Sequence, residues 1–213
     1  MVVCVCEVYS SIQGESLEAG WPCVLIRLAG CPFRCTYCDT PQAWEAGEEV
    51  DIPSLVARVA GFGIPLVEVT GGEPLAQEGS RPLIEALLAN GHRVLVETGG
   101  AVTIAGVDPR ARIILDVKAP GSGMADRQDW ENLERLRQGD EIKIVLTDRS
   151  DYDWANRLLE KTGLAQRFTV HYAPATGELS PRILAEWILE DRLPVRLNVQ
   201  LHAFIWGAGT RGV

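Results

Sequence analysis

Val24-Leu25-Ile26-Arg27-Leu28-Ala29-Gly30-Cys31-Pro32-Phe33-Arg34-Cys35-Thr36-Tyr37-Cys38 starts as an apolar run of strand length and breaks at Gly30 into a loop bearing three cysteines. The same order recurs downstream. Pro65 to Val69 runs into Thr70-Gly71-Gly72-Glu73-Pro74, Arg93 to Val96 into Glu97-Thr98-Gly99-Gly100, and Arg112 to Val117 ends on Asp116-Val117-Lys118. Ile142 to Leu146 precedes Thr147-Asp148; then come Phe168 to Tyr172 and Val195 to Leu201, the latter closed by Gln200 and His202. Short apolar runs bounded by turn residues read as buried strands.

Segments with helical spacing lie between them. Leu83, Ile84, Leu87 and Leu88 form a stripe stopped by Asn90-Gly91, and Trp130, Leu133 and Leu136 form a second. Trp154, Leu158 and Leu159 make a third that ends at Gly163, and Ile183, Leu184, Trp187 and Ile188 a fourth after Ser180-Pro181. Alternating strands and helices imply an α/β fold of parallel βαβ units with right-handed crossovers. A complete eight-fold barrel needs at least about 200 residues. Six or seven strands in 213 residues therefore predict an abbreviated parallel (β/α) partial barrel of about six strands, one domain over residues 1–213. Cys4 to Tyr9 alternates like an additional edge strand. In such folds the carboxyl ends of the strands converge on one face, and the chemistry is expected there.

Composition narrows the function classes. With 46% hydrophobic and 23% charged residues the chain buries a full core, which excludes global disorder. Lys+Arg 20 against Asp+Glu 29 gives a net charge of −9, which repels phosphate backbones and anionic lipid. No nucleic-acid or membrane partner is expected. No apolar stretch approaches the roughly 18 residues of a membrane span, and Met1 to Glu7 lacks a basic and then apolar leader, so a cytoplasmic chain is predicted.

All six cysteines (Cys4, Cys6, Cys23, Cys31, Cys35, Cys38) fall in the first 38 residues. A disulfide framework staples distant segments, so this crowding points to metal or cluster ligation. Cys31, Cys35 and Cys38 on one tight loop can wrap a soft metal centre. Three ligands leave a coordination position open, a deficiency for structural zinc and a functional feature for a four-iron cluster. The alternatives are zinc completed by Cys23 or His202, or thiols packed as small hydrophobes. Cys4, Cys6 and Cys23 read as core packing. Arg27, inside an apolar strand, has to find a charged partner. His92 and His171 look incidental, and Trp44 and Trp206 read as core before they read as a shield around reactive chemistry.

With this cysteine loop and Gly71-Gly72-Glu73-Pro74, the chain resembles the radical S-adenosylmethionine (SAM) enzymes. Within them it resembles the 7-carboxy-7-deazaguanine synthases of queuosine-type deazapurine biosynthesis. The resemblance is carried by Ser11 to Glu15, Arg27 to Cys31, Cys38 to Thr40, Thr70 to Pro74, Glu97 to Gly99, Asp116 to Pro120 and Val199 to His202. It implies a radical SAM type partial barrel and a 4Fe-4S cluster on Cys31, Cys35 and Cys38. SAM would be held by Tyr37, Cys38 and Asp39, by Gly72 and Glu73, and by Asp116, Val117 and Lys118. Mg²⁺ would bind at Thr40. The implied substrate is 6-carboxy-5,6,7,8-tetrahydropterin, contacted by Ile12, Gln13, Gly14, Glu15, Arg27, Thr70, His202 and Val213. The reaction is a lyase step that loses ammonia. Its radical arises on SAM, so no side chain need be catalytic, although His202 is placed either to bond the substrate or to move a proton. A flavodoxin-like electron donor and a homodimer are the implied partners. Two alternatives are another radical SAM enzyme, such as a glycyl-radical-activating protein, and a zinc-stabilised binding module.

Overall fold

The apolar runs pair side by side because each carries β-branched residues at alternate positions and needs cover on both faces. In the computed structural model, which describes residues 1–44 and 47–213, nine strands among the described residues share one sheet in the order β3-β1-β2-β4-β5-β6-β7-β8-β9. β1 (Val2–Ile12) runs antiparallel to both β2 (Pro22–Leu28) and β3 (Glu48–Asp51). From β2 onward the ladder is parallel through β4 (Leu66–Gly71), β5 (Arg93–Thr98), β6 (Arg112–Lys118), β7 (Glu141–Leu146), β8 (Thr169–Pro174) and β9 (Arg196–Leu197). The sheet is open, with β3 and β9 at its edges. It is the α/β partial barrel expected, six long parallel strands and a seventh of two residues.

The crossovers contain α1 (Ile52–Ala60), α2 (Ser80–Ala89), α3 (Asn132–Arg135), α4 (Arg149–Thr162), α5 (Leu164–Arg167) and α6 (Pro181–Asp191), and α7 (Leu201–Trp206) follows β9. Sequence sets their limits. The Asp148 carboxylate accepts from Asp151 N–H at 2.9 Å to start α4, and Gly163, at φ +66, ends it. Leu83, Ile84 and Leu87 of α2 and Tyr152, Ala155 and Leu159 of α4 are buried against the outward residues of the strands, among them Val24, Ile26, Val67, Val69, Ile113, Leu115, Ile142 and Ile144. The opposite face has a small apolar floor of Cys23, Leu66, Leu95 and Ile114, with Leu25 against it, and above that floor its side chains are polar. None of the described helices is long and apolar enough to cross a membrane.

The structure departs from three expectations and adds a helix that none of them included. Cys4 to Tyr9 is strand, but β3 pairs with Val2 to Val5 and so covers Cys4 and Val5, leaving Cys6 to Tyr9 at the edge among the described residues. Where β3 is outermost it is short and acidic, through Glu48, Glu49 and Asp51, which discourages further strand pairing. Helix α1 is the added element, and its signals are present in the sequence: Asp51 accepts from Ser54 N–H, Pro53 lies in the first turn, and Ile52, Leu55 and Val59 are buried. The stripe of Trp130, Leu133 and Leu136 yields a single helical turn. There the buried Asn132 amide accepts from Ile104 N–H (2.9 Å) and donates to the Val102 carbonyl (3.0 Å), and Asp140 accepts from Ile113 N–H (2.9 Å). These side-chain bonds to backbone take the place of helix. Val195 to Leu201 pairs over only Arg196–Leu197, because Leu201 N–H turns away to the Gly14 carbonyl (3.0 Å) and starts α7.

Candidate active site

The cysteine loop leaves β2 at Leu28 and is clamped at its base by the end of β4. Gly72 N–H donates to the Leu28 carbonyl (3.0 Å) and Glu73 N–H to the Gly30 carbonyl (2.9 Å). Backbones this close admit no side chain: a Cβ on Gly72 would stand 2.4 Å from Gly30 O and 2.6 Å from Cys31 Cβ. The other side of the loop is tied to the turn after β6, where Thr36 donates its hydroxyl to the Gly121 carbonyl (2.8 Å) and its N–H to the Ser122 carbonyl (3.2 Å). Cys31, Cys35 and Cys38 are half-buried free thiols. Burial pushes Cys31 and Cys35 above the ordinary thiol range, and the Lys118 ammonium works against it. Among the described residues no three Cys, His, Asp or Glu side chains close on a single ion, so the thiols stand as separate donors. Cys23 cannot complete a zinc site with them. It lies in the floor at the opposite end of β2, about 16 Å from Leu28 at roughly 3.3 Å per residue.

Three buried polar atoms around this loop lack partners among the described residues: Glu73 Oε2, Asp116 Oδ1 and Tyr37 Oη. Glu73 is fully buried. Its other oxygen accepts from Thr98 Oγ1 (2.7 Å) and Leu75 N–H (3.1 Å), and burial raises its pKa above the usual carboxylate range. Lys118 Nζ lies 3.0 Å from Asp116 Oδ2 and 5.9 Å from the ring centroids of both Phe33 and Tyr37. Buried polar atoms are normally paired. Unpaired oxygens beside three thiols therefore suit a cluster whose open iron takes a ligand bearing ammonium and hydroxyl groups. The donor set fits a 4Fe-4S cluster with SAM against it.

The second half of the site is the polar band above the floor. Lys143, on β7, bonds Glu15 (3.0 Å) and Glu97 and lies 3.8 Å from Asp116. Thr70 donates to Glu97 (3.2 Å). Gln13 donates its amide N–H to Glu68 and accepts from Glu15 N–H (3.1 Å). Burial, with the Glu97 charge adding to it, pushes the Glu68 carboxyl up to about 8. Arg27 Nε bonds Glu7 (2.7 Å) and Nη2 reaches the Tyr9 hydroxyl (3.3 Å), which uses two of five N–H donors. The segment from Gln13 to Glu18 is thus fastened strand by strand: Gln13 to β4, Glu15 to β7, Leu17 N–H to Glu141 (2.9 Å) and Glu18 to Arg112 (3.0 Å).

The Radical SAM superfamily profile matches residues 25–120. The 7-carboxy-7-deazaguanine synthase of Chlorobaculum tepidum is 45% identical over 98% of this chain and 96% of its own, and that of Koribacter versatilis 39% identical over 98% and 99%. The chain belongs to the 7-carboxy-7-deazaguanine synthase family. Its fold is also that of QueE from Escherichia coli, with a TM-score of 0.77, 24% identity and 95% of each chain covered.

Within this family frame, the structure groups most of the residues read from sequence around the two halves of one site. Gly14 and His202 meet, since a Cβ on Gly14 would stand 2.2 Å from His202 Nδ1. His202 lies on α7 rather than at a strand end, and burial lowers its pKa. A Gly14→Ala chain is expected to displace that ring and raise KM for the substrate about tenfold with kcat nearly unchanged, as steady-state kinetics would show. Ile12 ends β1 beside Gln13. Val117 is buried in the outer core, so its side chain lies on the face opposite the polar band. Thr40 donates to Asp39 (2.8 Å), whose second oxygen accepts from Gln200 (2.8 Å). Gly212, next to Val213, lines a cleft with Glu7 and Tyr9, the residues that hold Arg27. Trp206 is exposed rather than core, and Cys4 and Cys6 are only half-buried. His171 is not incidental: it is buried and bonds Glu141 at 2.7 Å. Lys143, Glu68, Glu97 and Glu141 join the polar band without being among the residues expected from sequence. Their signal is a charged side chain at every second position of a buried strand, as in Glu141-Ile142-Lys143-Ile144.

Proposed function

We propose that this chain converts 6-carboxy-5,6,7,8-tetrahydropterin to 7-carboxy-7-deazaguanine with loss of ammonia. It would do so as a radical SAM lyase of queuosine-type deazapurine biosynthesis, from a single domain spanning residues 1–213. The observation that carries the reading is the near full-length identity to named synthases, joined to a three-thiol loop seated on Gly72 and Glu73. Cys31, Cys35 and Cys38 would hold the cluster, with SAM against Tyr37 to Asp39, Gly72, Glu73 and Asp116 to Lys118. When bound, this pair would supply the radical chemistry needed to abstract hydrogen from carbon, which no side chain of the site can do.

The chain's residues supply recognition and shelter. The remaining Arg27 donors take the substrate carboxylate in a charge-assisted pair. Gln13 and Glu15 accept pterin N–H groups, Thr70 borders the same space, and His202 closes it against Gly14. The Cys23, Leu66, Leu95 and Ile114 floor keeps water from the inner end. Mg²⁺ would sit at Thr40, where a hydroxyl and the Asp39 carboxylate offer the hard oxygen ligands it requires. Thr40→Ala is expected to lower turnover by about 10- to 100-fold with iron content unchanged, and raising Mg²⁺ should restore part of it. A flavodoxin-like donor, a homodimer and a cytoplasmic setting complete the proposal.

The test is anaerobic purification followed by reaction with SAM, a reductant and the pterin. Iron, sulfide, 5′-deoxyadenosine and 7-carboxy-7-deazaguanine are the expected products of analysis. 5′-Deoxyadenosine without consumption of the pterin would overturn the substrate, and colourless protein with stoichiometric zinc would overturn the chemistry.

A further inference from the structure

Lys143 is the one described cation in direct contact with both Glu15 and Glu97, and it also lies 3.8 Å from Asp116. Its side chain is 8% exposed, and it reaches the site from β7, two strands away from β5, which carries Glu97. An ammonium has three N–H donors and no acceptor. Here it bonds two carboxylates on the substrate side of the site and lies within ion-pair distance of one on the cofactor side. Asp116 has a cation of its own in Lys118 (3.0 Å). Among the described residues no other cation pairs directly with Glu15 or Glu97.

We propose that Lys143 is a positioning residue whose charge holds Glu15 and Glu97 as a pair of hydrogen-bond acceptors for the N–H edge of the substrate. The inference rests on the substrate class proposed above. A carboxylate offers only acceptors, whereas a protonated carboxyl presents a donor. Burial pushes both groups toward the protonated form. Lys143 opposes this at Glu15, and at Glu97 it outweighs burial, so that carboxyl lies below its ordinary range. The charged and titratable groups facing Lys143 are Glu15 from the loop after β1, Arg27 from β2, Tyr37 and Asp39 from the cysteine loop and Glu68 from β4. Glu97 from β5, Asp116 and Lys118 from β6, His171 from β8 and His202 from α7 complete the set, with Glu141 two residues away on β7 itself. Among these, Glu68 is already inclined to the neutral acid, and Arg27 is engaged by Glu7. The acceptor character of the pair therefore depends on Lys143.

The experiment is equilibrium binding of the pterin to cluster-loaded protein with SAM but without reductant, from about pH 6 to about pH 9. Wild type, Lys143→Met and Lys143→Arg are compared, with circular dichroism as a check on folding. Lys143→Met is expected to weaken pterin binding about tenfold at neutral pH, with affinity returning as the pH rises and the two carboxyls ionise without help. SAM affinity should change little, and Lys143→Arg should restore the wild-type pH profile. Unchanged pterin binding, or an equal and pH-independent loss of both ligands, overturns the proposal. Should Lys143→Met fail to fold, Lys143→Met/Glu97→Gln removes one charge of each sign and carries the same test through Glu15 alone; a flat pH profile there also overturns it. Failure of the wild-type chain to bind the pterin would instead refute the substrate assignment.

Discussion

A Cys35→Ala chain purified without oxygen is expected to lose most of its iron and to make no 5′-deoxyadenosine from SAM. The loss is that of the whole enzymatic acceleration, at least about 10⁶-fold and so below detection. Cys35 is the informative member of the trio. Cys31 directly follows Gly30, whose carbonyl accepts from Glu73 N–H, so it adjoins the clamp itself. Cys35 lies in the turn that Cys38 N–H closes onto its carbonyl (3.3 Å), held from outside by the Thr36 bonds to Gly121 and Ser122. Alanine keeps all of those backbone contacts and deletes only the sulfur. The control is Cys23→Ala. Cys23 is fully buried in the floor, so its truncation costs about 1 kcal/mol of stability and leaves iron and SAM cleavage as they were. Equal iron in the two variants would show that the loop thiols are packing residues and would remove the cluster from the proposed function.

Much of this was readable from the chain because the two halves of the site are encoded differently. The cysteine loop and Gly71-Gly72-Glu73-Pro74 are local signals: a tight loop of soft ligands and a pair of glycines that only close backbone approach explains. The parallel strands and α2, α4 and α6 were legible for a similar reason, since periodicity and caps are short-range. The polar band was not, because it exists only across strands. Lys143 finds meaning opposite Asp116 in the β6–β7 register and within reach of Glu97 and Glu15, and no window of sequence holds those four together. The same holds for Arg27. Its need of a charged partner was legible, yet Glu7 is supplied by antiparallel pairing with β1. Where local and tertiary demands conflict, the tertiary one wins: Leu201 has the apolar character to extend β9 but spends its N–H on the Gly14 carbonyl, which brings His202 onto Gly14.

The clamp at Gly72 yields the second large effect. Gly72→Ala should cut SAM cleavage about 100-fold while the protein keeps its fold, because a displacement near 1 Å at a reacting centre has that consequence. The added methyl meets Gly30 O at 2.4 Å and Cys31 Cβ at 2.6 Å, and neither can swing aside as a side-chain tip would. Relief has to come from parting the end of β4 from the cysteine loop. That stretches the Glu73 N–H bond to Gly30 and moves Cys31 and the Glu73 carboxylate in opposite directions. One residue's shift thereby spoils both a proposed cluster ligand and the unpaired Glu73 oxygen proposed to take the SAM ammonium. Gly99→Ala makes the contrast: its methyl would meet side-chain atoms, Phe33 Cε2 at 2.6 Å and Lys118 Cε at 3.3 Å, rather than backbone, so its effect on SAM cleavage should be about tenfold smaller. Measured rates of 5′-deoxyadenosine formation for the two variants, with iron content as reference, decide the matter. A Gly72→Ala enzyme as fast as wild type would mean that the loop and the end of β4 separate freely, and the clamp would not be what registers the thiols against Glu73.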